Sequence, residues 1–126
     1  MRQEVRFCIA NDGVRLAYAT SGHGAVVVKV GHWMTHLERD WTSPVWRHWV
    51  EFLSREHTLV RYDERGCGLS DRDCPTLTLE DWVDDLEVVV AAAGVDRFSL
   101  FGASGGGPVA IAYAARHPDR VTGLVL

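Results

Sequence analysis

Residues 100–108 read Leu-Phe-Gly-Ala-Ser-Gly-Gly-Gly-Pro, and within them Gly102-Ala103-Ser104-Gly105-Gly106 forms G-x-S-x-G. An apolar run, Phe98 to Phe101, precedes this segment, and a helix-forming run ending near Arg116 follows it. A serine on so short a strand-to-helix turn has its hydroxyl lifted clear of the sheet, where it can attack an acyl carbon. Glycines must flank it, because strand and helix backbones pass close together there. The segment demands a strand feeding directly into a helix, and so a layered α/β arrangement.

The rest of the chain supplies the matching elements. Val5 to Ala10 and Val14 to Thr20 alternate in polarity around Asn11-Asp12-Gly13, which predicts a hairpin. Ser21 to Gly24 reads as a flexible loop, and Ala25 to Val30 as a strand covered on both faces. Gly31 to Ser43 reads as irregular. Pro44 suits a helix start, and Val45, Trp46, Trp49, Val50 and Leu53 follow at helical spacing to about Arg55. His57 to Tyr62 predicts a strand, and Asp63 to Pro75 a loop. A second helix runs from the Thr78 cap to Gly94, with Leu79, Trp82, Val83, Leu86, Val89 and Val90 forming its apolar stripe. A third spans Gly105 to about Arg116 and stops at His117-Pro118, before a last strand from Val121 to Leu126. This alternation predicts a mostly parallel sheet with helices on both faces.

Composition narrows the function classes. One domain is all that 126 residues accommodate. Net charge is -4 and Lys29 is the only lysine, which argues against nucleic-acid partners. The N-terminal Met1-Arg2-Gln3-Glu4-Val5-Arg6 has no apolar run behind it, so no secretory signal is expected, and no stretch has the length of a membrane span. Cys8, Cys67 and Cys74 follow no ligand spacing, and the histidines form no metal motif. Three reduced thiols in a cytoplasmic protein without metal or cofactor are the expectation.

Three signatures coincide in order. They are the β-branched strand followed by Gly31-His32-Trp33, the D-x-R-G-x-G-x-S loop from Asp63 to Ser70, and the serine turn followed by Arg116-His117-Pro118-Asp119-Arg120-Val121. Together they resemble the α/β-hydrolase superfamily. The resemblance runs over essentially the whole chain, which covers about the first half of a typical member. It implies an α/β-hydrolase fold represented by its first six strands, without the lid and C-terminal half. The segments 33–41, 43–49 and 61–68 further resemble a bacterial subgroup in which such domains are joined to adenylate cyclases or LuxR-type regulators.

The resemblance assigns roles residue by residue. Ser104 stands at the nucleophile and Gly105 at one oxyanion donor. Members of this family carry His-Gly before the second donor. Here the pair stands as Gly31-His32, which puts Trp33 in the donor's place. The acid and histidine that complete such a triad follow the serine in the chain, and neither is expected before Leu126. Asp63, Arg65 and Ser70 are expected to tie their loop together. The structural reading of Lys29, a charge in an apolar strand, is an ion pair or a strand-end position; a ligand-facing role is the alternative. Trp33, Trp41, Trp46 and Trp49 read as core packing or as the wall of an acyl pocket.

The implied activity is a serine hydrolase of esterase, peptidase or lactonase type, acting on a small ester or amide. A serine rather than an aspartate at this position argues against dehalogenase and epoxide-hydrolase chemistry. The chain alone is expected to be inactive for want of a triad acid and histidine. The competing reading is a non-catalytic ligand-sensing module, and the apolar C-terminal strand is a candidate edge for self-association.

Overall fold

In the computed structural model, residues 3–126 are described; Met1 and Arg2, part of the stretch read as lacking a secretory signal, lie outside them. Six strands form one sheet in the order β1-β2-β4-β3-β5-β6. Strands β1 (Gln3–Ile9) and β2 (Arg15–Gly22) make the antiparallel hairpin, and β2 pairs antiparallel with β4 (His57–Tyr62). Strand β3 (Ala25–Lys29) is parallel to both β4 and β5 (Phe98–Phe101), and β5 is parallel to β6 (Val121–Val125). The loops after β3, β4 and β5 therefore emerge at one edge.

The core confirms four of the six stripe residues of α2 (Leu79–Ala93); Leu79, in its first turn, is exposed and Trp82 is only half-buried. Val83, Leu86, Val89 and Val90 are buried with Val28, Val30, Val60 and Leu100 of the sheet. Each such side chain contributes about 1.5–3 kcal/mol on removal from water. Thr78 and Asp81 form a reciprocal capping box, and Gly94 ends the helix at φ 71°, a left-handed geometry that favours glycine. The third helix, α3 (Gly106–Arg116), packs against α2, and Arg116 reaches Asp84 at 3.1 Å.

Several boundaries differ from the sequence reading by a residue or more. Ser21 and Gly22 continue β2, because they pair with Leu59 and Thr58 of β4. The stretch read as irregular contains one 3-10 turn, Arg39–Trp41. Helix α1 (Arg47–Glu56) starts later than Pro44, because the Ser43 hydroxyl accepts from the Val45 and Trp46 N–H groups and holds a preceding turn. No helix among the described residues is long and apolar enough to cross a membrane.

Candidate active site

The serine turn is tight for a countable reason. A Cβ on Gly102 would lie 2.7 Å from the Gly106 carbonyl oxygen and 2.9 Å from the Ala110 Cβ. One on Gly106 would meet the Val30 Cβ at 3.3 Å. The G-x-S-x-G spacing is thus what lets α3 fold back against β5 and rest on the end of β3. Ser104 itself is exposed and sits at φ 53°, a left-handed conformation that costs a non-glycine residue about 1–3 kcal/mol. Two backbone bonds hold the turn, Gly106 N–H to the Ala103 carbonyl at 2.9 Å and Gly107 N–H to the Ser104 carbonyl at 3.0 Å.

The Gly31-His32-Trp33 loop leaves β3 beside this turn, since Lys29 is paired with Phe101 and the Val30 N–H donates to the Phe101 carbonyl at 2.9 Å. Among the described residues, neither the Gly105 N–H nor the Trp33 N–H has a hydrogen-bond acceptor. The Trp33 side chain is 74% exposed, and Met34 behind it takes φ 69°.

His32 is buried, and both of its ring nitrogens are occupied. Nδ1 lies 3.0 Å from the Trp33 carbonyl oxygen and Nε2 lies 3.1 Å from Lys29 Nζ. Burial and then the Lys29 charge push its pKa below the ordinary 6.5, so the ring is neutral at pH 7. Among the described residues no histidine or carboxylate hydrogen-bonds to Ser104. Lys29 is at the strand end, as one reading expected, but makes no ion pair among the described residues. Its amine instead sits 4.5 Å above the Trp46 ring, and burial lowers its pKa to about 8.

The loop after β4 is braced by charge. Asp63, fully buried, accepts from the Leu37 and Leu69 N–H groups, and Ser70 donates to the Asp63 carbonyl while accepting from the Ala17 N–H. Arg65 makes a two-pronged pair with Asp85 at 2.6 and 2.8 Å and reaches Asp12 at 2.8 Å. Asp12 and Asp85 escaped sequence reading because they come from the hairpin turn and from α2. A buried-side Asp85 within the apolar stripe of α2 was the available signal.

Beside the turn lies a cavity of about 540 Å³, lined by Trp46, Trp49, Leu53, Phe101, Ala103 and Leu126 among others. Of the four tryptophans read as packing or pocket wall, Trp46 and Trp49 are therefore on the cavity, while Trp41 stacks near Arg61. The described residues hold no cluster of three or more histidine, cysteine or acidic side chains suited to a metal ion.

Residues 31–126, from the candidate oxyanion loop through the serine turn, match the alpha/beta hydrolase fold family. The chain belongs to that family. A relative, the cis-3-alkyl-4-alkyloxetan-2-one decarboxylase of Shewanella oneidensis, is 33% identical over 125 residues, which are 96% of this chain and 37% of that protein. The pimeloyl-[acyl-carrier protein] methyl ester esterase of Nitrosomonas europaea is 38% identical over 107 residues, 85% of this chain and 38% of its own length. A proline iminopeptidase of Neisseria gonorrhoeae is 42% identical over 73 residues, covering 54% of this chain and 23% of the enzyme. A crystallised hydrolase from Pseudomonas aeruginosa superposes with TM-score 0.84 at 29% identity, over 98% of this chain and 45% of that one. The chain thus spans less than half the length of the relatives it matches.

Proposed function

We propose that Ser104 is the nucleophile of a serine hydrolase that cleaves a small ester or amide, with the Gly105 and Trp33 N–H groups as oxyanion donors. One observation carries this reading: an exposed serine strained to φ 53° on a strand-to-helix turn whose Gly105 N–H, like the Trp33 N–H of the loop leaving the neighbouring strand, is left without an acceptor. Similarity to an esterase and to iminopeptidases supports the substrate class. The Ser104 Oγ attacks the acyl carbon, and the carbonyl oxygen takes the electron pair as an oxyanion that the two N–H groups stabilise. Each such donor contributes about 3 kcal/mol to the transition state. Collapse expels the leaving group, and water releases the acyl-enzyme.

The attack needs a base for the Ser104 proton. His32 is committed to Trp33 and Lys29, so residues 1–126 taken alone hydrolyse p-nitrophenyl acetate no faster than their Ser104→Ala form. In a protein that carries these residues together with a base, Ser104→Ala lowers turnover by at least about 10³-fold. Turnover of that whole protein untouched by Ser104→Ala overturns the nucleophile assignment. Fluorophosphonate labelling of Ser104 in residues 1–126 at serine-hydrolase rates overturns their inactivity.

A second reading, a ligand-sensing module of the kind joined to cyclases or regulators, is favoured by the apolar cavity beside the turn. It requires tight ligand binding without ester turnover by the whole protein. The three free thiols support a reducing, cytoplasmic setting, and the exposed Leu124 and Val125 of edge strand β6, with Leu126 after it, support pairing between copies.

A further inference from the structure

Lys29 is the feature that the hydrolase reading leaves unexplained. Its side chain is 4% exposed at the end of β3, and its hydrogen-bonding partner is a neutral ring, His32. Among the described residues no carboxylate hydrogen-bonds to it. Asp40, on the 3-10 turn, pairs with Arg61 of β4 at 3.1 Å, and Asp63, after β4, accepts two backbone N–H groups on Oδ2 while its buried Oδ1 has no partner. Trp46, before α1, presents its ring face to the amine and packs 5.1 Å from the His32 ring.

A protonated lysine has donors and no acceptor. Across the 3.1 Å contact, His32 Nε2 must therefore accept, which leaves the ring proton on Nδ1. Nδ1 then donates to the Trp33 carbonyl at 3.0 Å. That bond closes a ring of atoms running through the His32 side chain, the His32–Trp33 peptide and the Trp33 carbonyl. The peptide inside the ring is the one whose N–H has no acceptor. With the opposite tautomer, a bare Nδ1 would face a carbonyl oxygen, two acceptors with no proton between them, and the ring would open.

We propose that Lys29 is a positioning residue: by donating to His32 it selects the ring tautomer that holds the Trp33 peptide, and hence its N–H, in one orientation. The catalytic meaning of that orientation rests on the serine-hydrolase reading; the tautomer lock does not. A depressed amine pKa of about 8 supports the arrangement, since neutral Lys29 can accept as well as donate and the lock loosens as the proton leaves.

The test is long-range proton–nitrogen correlation NMR on the imidazoles of the 126-residue chain. At pH 7 His32 is expected to be neutral and protonated on Nδ1 alone, with a single sharp Trp33 amide resonance. Raising the pH through about 8 is expected to mix the tautomers and broaden that amide. Lys29→Met is expected to give the mixture at pH 7, and Lys29→Arg, which keeps a permanent donor, to restore the single form. A His32 protonated on Nε2 in the unsubstituted chain overturns the proposal, and so does a Lys29→Met chain with an unchanged tautomer and Trp33 amide. Both readouts are independent of turnover, so failure of the Ser104 assignment leaves them standing and their failure leaves Ser104 standing.

Discussion

Two buried cations in this fold are treated in opposite ways. Arg65 has 2% of its side chain exposed and meets Asp85, 3% exposed, through two parallel hydrogen bonds, with Asp12 and the Thr76 carbonyl completing its shell. The Asp85 bond, the largest influence on it, holds the guanidinium firmly charged. Lys29 is equally buried, yet its contacts are a neutral imidazole and an indole face. Desolvation dominates, and its pKa falls. The first arrangement joins three distant segments and has no freedom left. The second spends stability to keep a proton donor at the edge where the serine turn lies. Burying a charge is thus a clamp in one place and a held donor in the other, and the presence of a carboxylate decides which.

The largest expected effect tests the clamp. Arg65→Met leaves Asp85 buried without a counter-charge, and breaking a buried pair from one side costs about 3–5 kcal/mol. Urea unfolding of the substituted chain is expected to lose most of its cooperative transition. A shift below about 1 kcal/mol would place the pair among ordinary surface salt bridges and end the contrast.

The held donor is expected to respond with the opposite sign. Lys29→Met removes the desolvation penalty and stabilises the chain by about 1–3 kcal/mol at pH 7. The pH dependence follows from linkage. An unfolded lysine titrates at 10.5 and the folded one at about 8, so between those values the unfolded chain binds more protons and folded stability rises with pH. Below pH 8 both states are protonated and the penalty is constant. The gap between the Lys29→Met and unsubstituted chains should therefore hold below pH 8 and narrow steadily toward pH 10.5 in paired urea titrations. Measuring the difference cancels Cys8 and Tyr62, whose pKa values burial raises and which act in both chains. A gap that widens with pH would mean that Lys29 has a stabilising anionic partner.

This contrast also marks what the sequence could reveal. The alternation of strands and helices, the glycines at 102 and 106 and the capping of α2 were readable because each is a local rule of spacing or backbone geometry. Both cations were visible too, Lys29 as a charge in an apolar strand and Arg65 within D-x-R-G-x-G-x-S. Their partners were not. Asp12 and Asp85 lie 53 and 20 residues from Arg65, and only the folded chain brings them together. His32 is three residues from Lys29, but nothing in that spacing says that the chain turns back at the strand end and points the ring at the amine. The spacing of Trp46, Trp49, Val50 and Leu53 predicts a helix and leaves the tryptophans as core or pocket wall, and the structure divides the set: Val50 is buried while Trp46 and Trp49 line the cavity. Periodicity reports that a face is apolar, and tertiary contact decides what covers it.

The smallest expected effect separates the two acids on Arg65. Asp85 is enclosed, whereas 30% of the Asp12 side chain is exposed at the hairpin turn. Arg65 holds the Asp12 carboxyl below the usual carboxylate range, mainly through their hydrogen bonds, yet water and salt reach that side of the pair. Asp12→Asn keeps one oxygen, for the Val14 N–H at 3.3 Å and Arg65 Nη2 at 3.1 Å, and removes the charge together with the oxygen that accepts from Arg65 Nη1 at 2.8 Å. Its loss of stability should be much smaller than that of Arg65→Met and should shrink further as salt is raised, while the Arg65→Met loss should be insensitive to salt. Parallel unfolding curves at low and high ionic strength check this. Equal salt sensitivity of the two variants would mean that the Arg65 clamp works through its exposed side, and the buried bidentate bond to Asp85 would then contribute no more than a surface contact.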